Sequence, residues 1–202
     1  FVHQKGKIGH FGEAVTPAIP DLDYFETDAG IRQVATRSAN NVRVSDWTFP
    51  NNNHILIPSA FRDGPWVDLG IWIVPVDDEM TSRFQLYAVP SVSPEADQRM
   101  RDHFDAYRSY TPIDHHGELL HDQIFPEEVF LELTNAQDYV AAVGQGKIVN
   151  RSQERLVKSD LGVALVRRLL FREMAARRSG KEPKTWTRLT EEIELQTEEV
   201  QK

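Results

Sequence analysis

Between Asp21 and Pro90 the chain is built from short runs of β-branched and aromatic residues broken at close intervals by turn residues, and this rhythm limits its folds most. Asp23 to Thr27 and Gly30 to Arg37 flank Thr27-Asp28-Ala29-Gly30, which predicts a hairpin. Val42 to Phe49 and His54 to Pro58 follow, divided by Pro50 and the turn Asn51-Asn52-Asn53. Trp66 to Val76 and Ser82 to Val89 are joined across Pro75-Val76-Asp77-Asp78-Glu79. Successive short strands with tight turns pair antiparallel, so one face of the sheet can be a core or a ligand wall. Asp77 and Asp78 read as turn residues whose carboxylates accept backbone N–H groups. Trp47, Phe49, His54, Ile55 and Ile57 sit on strands whose inward parity the sequence does not fix; a core role is expected for most of them.

Helical signals follow the strands. Pro94 to Tyr110 has Ser93 to cap it, Pro94 at its first position and Glu95 favouring the dipole. Asp97, Arg99, Arg101 and Asp102 read as its solvated face. The next stretch is irregular and holds His115, His116 and His121; its apolar framing and the lack of a partner motif favour a chance loop cluster over a zinc site. Glu127 to Val143 reads as a helix in which Asn135 and Asp138, three apart, share a face. Past Gly144-Gln145-Gly146, Ser159 is expected to cap a helix from Asp160 to about Arg178, closed by Gly180. Leu161, Val163, Ala164, Leu165, Leu169, Leu170 and Met174 recur at helical spacing and are expected in the core. Arg167, Arg168, Arg172, Arg177 and Arg178 spread around this helix rather than forming a stripe, and Thr190 to Val200 reads as a charged final helix.

With 202 residues and 40% hydrophobic content the chain can bury a core as one domain, 1–202. Its formal charge of -8 argues against a nucleic-acid backbone or an anionic membrane as partner. The absence of cysteine excludes a disulfide framework, a thiolate zinc site and an iron–sulfur cluster bound within this chain. No apolar run is long enough for a membrane helix, and a cytoplasmic location is expected. Because it opens on Phe1 rather than Met, the chain is expected to be part of a longer protein.

The densest chemistry lies between Asn135 and Leu170. Asn135, Gln137, Asp138, Gly146, Ile148, Asn150, Arg151, Ser152, Glu154, Leu156, Ser159, Asp160, Val163, Arg167, Arg168, Leu169 and Leu170 fall in one register. This run resembles the C-terminal part of Rieske-type ring-hydroxylating oxygenases, in particular the large subunits of the phthalate and phenoxybenzoate dioxygenase type. Trp72, Val74, Pro75, Val76, Asp77, Asp78 and Thr81 resemble a further family segment, and Phe1-Val2-His3 resembles the end of its iron motif.

The resemblance implies an α+β fold of helix-grip, START-like type, with a curved antiparallel sheet around a long C-terminal helix. It implies a mononuclear iron(II) held by His3, Asp138 and a further histidine five residues before His3, with Asn135 close to the iron without bonding it. Two imidazoles and one carboxylate on one side of a ferrous ion leave the other side free for dioxygen and substrate. The implied reaction is hydroxylation, dihydroxylation or O-demethylation of an aromatic substrate, an aromatic acid in the branch resembled. Electrons would come from NAD(P)H through a reductase, with or without a ferredoxin, and then a Rieske 2Fe-2S cluster on a domain upstream of this chain. A homotrimer is implied, in which the cluster belongs to the adjacent subunit. The loop with His115, His116 and His121 would lie near the pocket entrance, whereas His10 fits no part of the pattern and is expected to be exposed. The competing reading is a non-catalytic START-like module that binds an apolar ligand without metal; a second is an interaction or scaffold remnant with no ligand.

Overall fold

A computed structural model of the protein describes residues 19–39, 41–59, 61, 64–108, 138 and 141–188. These fall into two compact units, one containing residues 19–57, 68–88 and 151 onward, the other the described residues of 58–67 and 89–150.

The first unit is a meander. Strands β1 (Asp21–Glu26), β2 (Gly30–Ser38), β3 (Asn41–Thr48), β4 (Asn52–Ile57), β5 (Val67–Pro75) and β6 (Thr81–Ala88) lie side by side in chain order, so each pairs only with its sequence neighbours. The predicted hairpin is present: Thr27 N–H donates to the Gly30 carbonyl at 2.8 Å, and Thr27 Oγ1 accepts from Gly30 N at 3.0 Å. That places Glu26 opposite Ile31 and fixes the register back to Asp21 opposite Thr36. At the β5–β6 turn Asp77 Oδ1 accepts from Glu79 N and Met80 N, each at 2.8 Å, as a turn aspartate should. Among the described residues Asp78 accepts no such bond.

Helix α2 (Leu161–Arg178) packs on β1 and β2, which with the sheet makes an α+β arrangement. Leu169 is completely buried. Gly162 lies against the Tyr24 ring, where an added Cβ would come within 2.4 Å of a ring carbon. The Tyr24 hydroxyl donates to the Ser159 carbonyl at 3.0 Å. Gly180, at φ +71°, ends the helix in the left-handed conformation that glycine adopts without strain.

Two expectations for α2 need correction. Ser159 does not cap it: Ser159 sits in a 3-10 turn, Lys158–Asp160, and the helix begins at Leu161 after Asp160, which makes no side-chain cap bond. Nor is its apolar set all core, because Leu161, Val163 and Met174 are exposed while Glu173 is 7% exposed. Buried Glu173 is satisfied by Arg172 Nε at 3.0 Å and Lys184 N at 2.8 Å. The segment after the helix returns to the first hairpin, where Thr187 N donates to the Asp28 carbonyl and the Trp186 ring stacks on Phe49 with centroids 4.7 Å apart.

In the second unit α1 (Pro94–Arg108) starts as expected, with Ser93 Oγ accepting from Ala96 N at 3.2 Å. The expected final helix, His10 and the cluster of His115, His116 and His121 lie outside the described residues. No helix among the described residues is long and apolar enough to cross a membrane.

Candidate functional site

Asp138 is helical and partly buried; residues 141–143 are helical too, and the segment closes with Gly146 N donating to the Val143 carbonyl at 3.0 Å. A carboxylate on a helix is a suitable single ligand for a ferrous ion. His3 and Asn135 lie outside the described residues, and among those described no three His, Cys, Asp or Glu side chains gather as a metal site. Of the expected site residues, Asp138 alone lies among the described residues.

Arg151 and Arg167 form a brace with Glu154. Glu154 accepts from Arg151 Nη1 at 2.9 Å and from Arg167 Nη2 at 2.8 Å, tying the segment before α2 to the helix itself. The Arg167 hydrogen bond, opposed by desolvation and assisted by Arg151, lowers the Glu154 pKa to about 2. Asp160, from the same run, accepts from Val157 N at 2.9 Å. These residues position the helix rather than face a ligand.

The strand register sorts the sheet into two faces. Tyr24, Gln33 and Ser45 are aligned on one, with Ile55 opposite Ser45; Tyr24 meets Gly162, so this face carries α2. The opposite face carries Arg32 and Asp46, a forked ion pair at 2.9 and 3.1 Å in which Asp46 is 2% exposed. His54 is opposite Asp46 in register and therefore faces away from α2; its Nε2 bonds to Asp68, and its Nδ1 is buried without a hydrogen-bond partner among the described residues. The parity left open in the sequence is settled for His54 by this pairing.

One pair of groups escaped the sequence reading. Arg37 and Arg43 stand three residues to either side of the β2–β3 connection at position 40. Both are partly buried, and Arg37 Nε is buried with no hydrogen-bond partner among the described residues. Burial, and then the like charge of Arg37, lowers the Arg43 pKa. The available signal was two cations flanking a tight connection in an otherwise alternating hairpin, Thr36-Arg37-Ser38 to Asn41-Val42-Arg43.

In the second unit His103 is flanked edge-on by Phe61 and Phe104, with centroids at 5.7 and 5.5 Å, and burial lowers its pKa. Ser59, 1% exposed, donates to the Met100 sulfur at 3.7 Å and accepts from Phe61 N at 3.2 Å. This is an apolar cluster with its polar atoms paired inward.

No family model matches the chain. Among curated proteins it is 28% identical over 183 residues to the 5,5'-dehydrodivanillate O-demethylase oxygenase subunit of Sphingobium sp. (strain NBRC 103272 / SYK-6), covering 89% of this chain and 38% of that protein. It is 26% identical over 170 residues to the phenoxybenzoate dioxygenase subunit alpha of Ectopseudomonas oleovorans, covering 82% of this chain and 36% of that protein. The chain is similar to oxygenase subunits. It spans little more than a third of the length of either relative.

Proposed function

We propose that the chain is the catalytic part of a Rieske-type oxygenase acting on an aromatic substrate, an aromatic acid, by hydroxylation, dihydroxylation or O-demethylation. The observation that carries this reading is similarity over 89% and 82% of the chain to two proteins named as oxygenase subunits of aromatic conversions. The helical, partly buried Asp138 supports it, standing where the resemblance calls for a carboxylate ligand.

In this reading Asp138 and His3, with a histidine upstream of this chain, hold a mononuclear iron(II), and Asn135 lies beside them. The chemistry such a centre supplies is reductive activation of dioxygen. Asp138 would contribute a negatively charged oxygen ligand from a backbone held by helical hydrogen bonds. The Arg151–Glu154–Arg167 brace would hold the segment before α2 in place while substrate enters and leaves. NAD(P)H, a reductase with or without a ferredoxin, a Rieske 2Fe-2S cluster outside this chain, a homotrimer and a cytoplasmic location complete the proposal.

Iron stoichiometry after anaerobic loading of the natural gene product tests it, with Asp138→Ala alongside. The expected result is about one iron per chain beyond any cluster iron, lost in the variant. Equal iron in both proteins removes Asp138 from the site, and none beyond the cluster in either leaves the metal-free binding module as the account.

A further inference from the structure

We infer that Arg37 and Arg43 form a recognition site for the carboxylate of an organic acid. On the face that carries α2, Tyr24, Gln33 and Ser45 make one row, and Leu22, Ala35 and Arg43 make the next. The start of α2 covers the first row, since Gly162 and the Ser159 carbonyl both touch Tyr24. Arg43 therefore lies one row past the start of the helix, beside the buried Ala35. Arg37 is the extra residue of the β2–β3 irregularity: Thr36 pairs with Val42 and Ser38 with Asn41, leaving Arg37 without an opposite number. Bulges of this kind re-aim a side chain.

Charge makes this placement unusual. The chain has 31 acidic residues against 23 basic ones, so carboxylates are in surplus. Arg32, Arg167 and Arg172 each engage one. Among the described residues no carboxylate pairs with Arg37 or Arg43, and the two cations are close enough for one to depress the other's pKa. Two neighbouring, partly desolvated guanidinium groups without a counter-ion cost stability. A bound anion removes that cost. The fork of guanidinium N–H donors matches the two oxygens of a carboxylate, and the Arg37 Nε is left unpaired among the described residues, so no protein acceptor there competes for this guanidinium. The site rests on the proposed function only for the aromatic part of its ligand; the carboxylate preference follows from the arginines.

The test is calorimetric titration of the metal-free full chain with 3-phenoxybenzoate and with its neutral amide, compared with Arg37→Gln, Arg43→Gln and Arg43→Lys. The acid should bind at least about tenfold more tightly than the amide, and each Gln variant should lose on the order of tenfold to a hundredfold in acid affinity. Amide binding should change little, and Arg43→Lys should restore part of the preference. Because the unpaired cations oppose folding, the Gln variants should melt no lower than the parent. Equal binding of acid and amide by the parent overturns the assignment. So does undiminished acid preference in both Gln variants, or sulfate binding as tightly as the acid, which would mean an adventitious anion only. If Arg43→Gln melts lower and Arg43→Lys restores melting but not acid preference, the pair is structural and the assignment falls. Since no iron is present, failure of iron loading elsewhere leaves this result intact, and failure here leaves the iron assignment intact.

Discussion

The two ends of the helix-bearing face of the sheet treat charge in opposite ways. At the hairpin end Glu26 receives Arg172 Nη2 at 2.9 Å, with Lys184 at 3.8 Å and Arg168 at 3.9 Å beyond it. The Arg172 hydrogen bond is the main reason that its pKa is lowered. At the other end Arg37 and Arg43 have like charge beside like charge. Cations matched to anions hold an element in position, whereas unmatched cations under partial burial cost stability that a bound anion would relieve. Arg167, Arg168 and Arg172 of α2 belong to the first category, since each faces a glutamate.

If the hairpin end is held by packing, removing its most buried side chain should have the largest effect. Leu169→Ala should cost about 2–5 kcal/mol by urea denaturation, with fold cooperativity kept. A loss well under 1 kcal/mol would show that α2 is not anchored there. Gly162→Ala probes the same docking from the other side: its methyl would meet the Tyr24 ring, costing about 1–3 kcal/mol, and Tyr24→Ala in the same chain should make the added methyl far less harmful. Additive losses would separate the two residues and weaken the comparison.

The smallest expected effect is at the brace. Glu154→Gln should lower the melting temperature by roughly 1–3 °C at pH 7. The folded pKa lies near 2, below the ordinary 4.5, so the Glu154 contribution is complete above about pH 4.5 and fades as pH falls towards 2. The gap between parent and variant should therefore close over that window. A gap that stays constant with pH would assign the loss to shape rather than charge.

The strands were legible because turn chemistry and strand chemistry alternate so regularly: Thr27 to Gly30 and Asp77 make the bonds expected of them. Ser93 was legible because capping depends on residues three apart. What failed depended on distant partners. Glu173 looks like a solvent residue until Lys184 N comes back to meet it, and Ser159 looks like a cap until its carbonyl is taken by Tyr24, 135 residues away. The same reason hid Arg37 and Arg43, whose significance is the absence of a partner, a property no local window contains. Of the candidate iron site, Asp138 has the helical backbone its spacing predicted, while His3 and Asn135 lie outside the described residues.

The bonds between α2 and the first hairpin also set an order of events. Each strand of the meander pairs with its neighbour soon after both exist, but the Tyr24–Ser159 and Glu26–Arg172 contacts close spans of 135 and 146 residues. On a ribosome the first hairpin would therefore emerge long before its covering helix, with Ile31 and Ala35 exposed to water or to a chaperone until translation has passed Arg178.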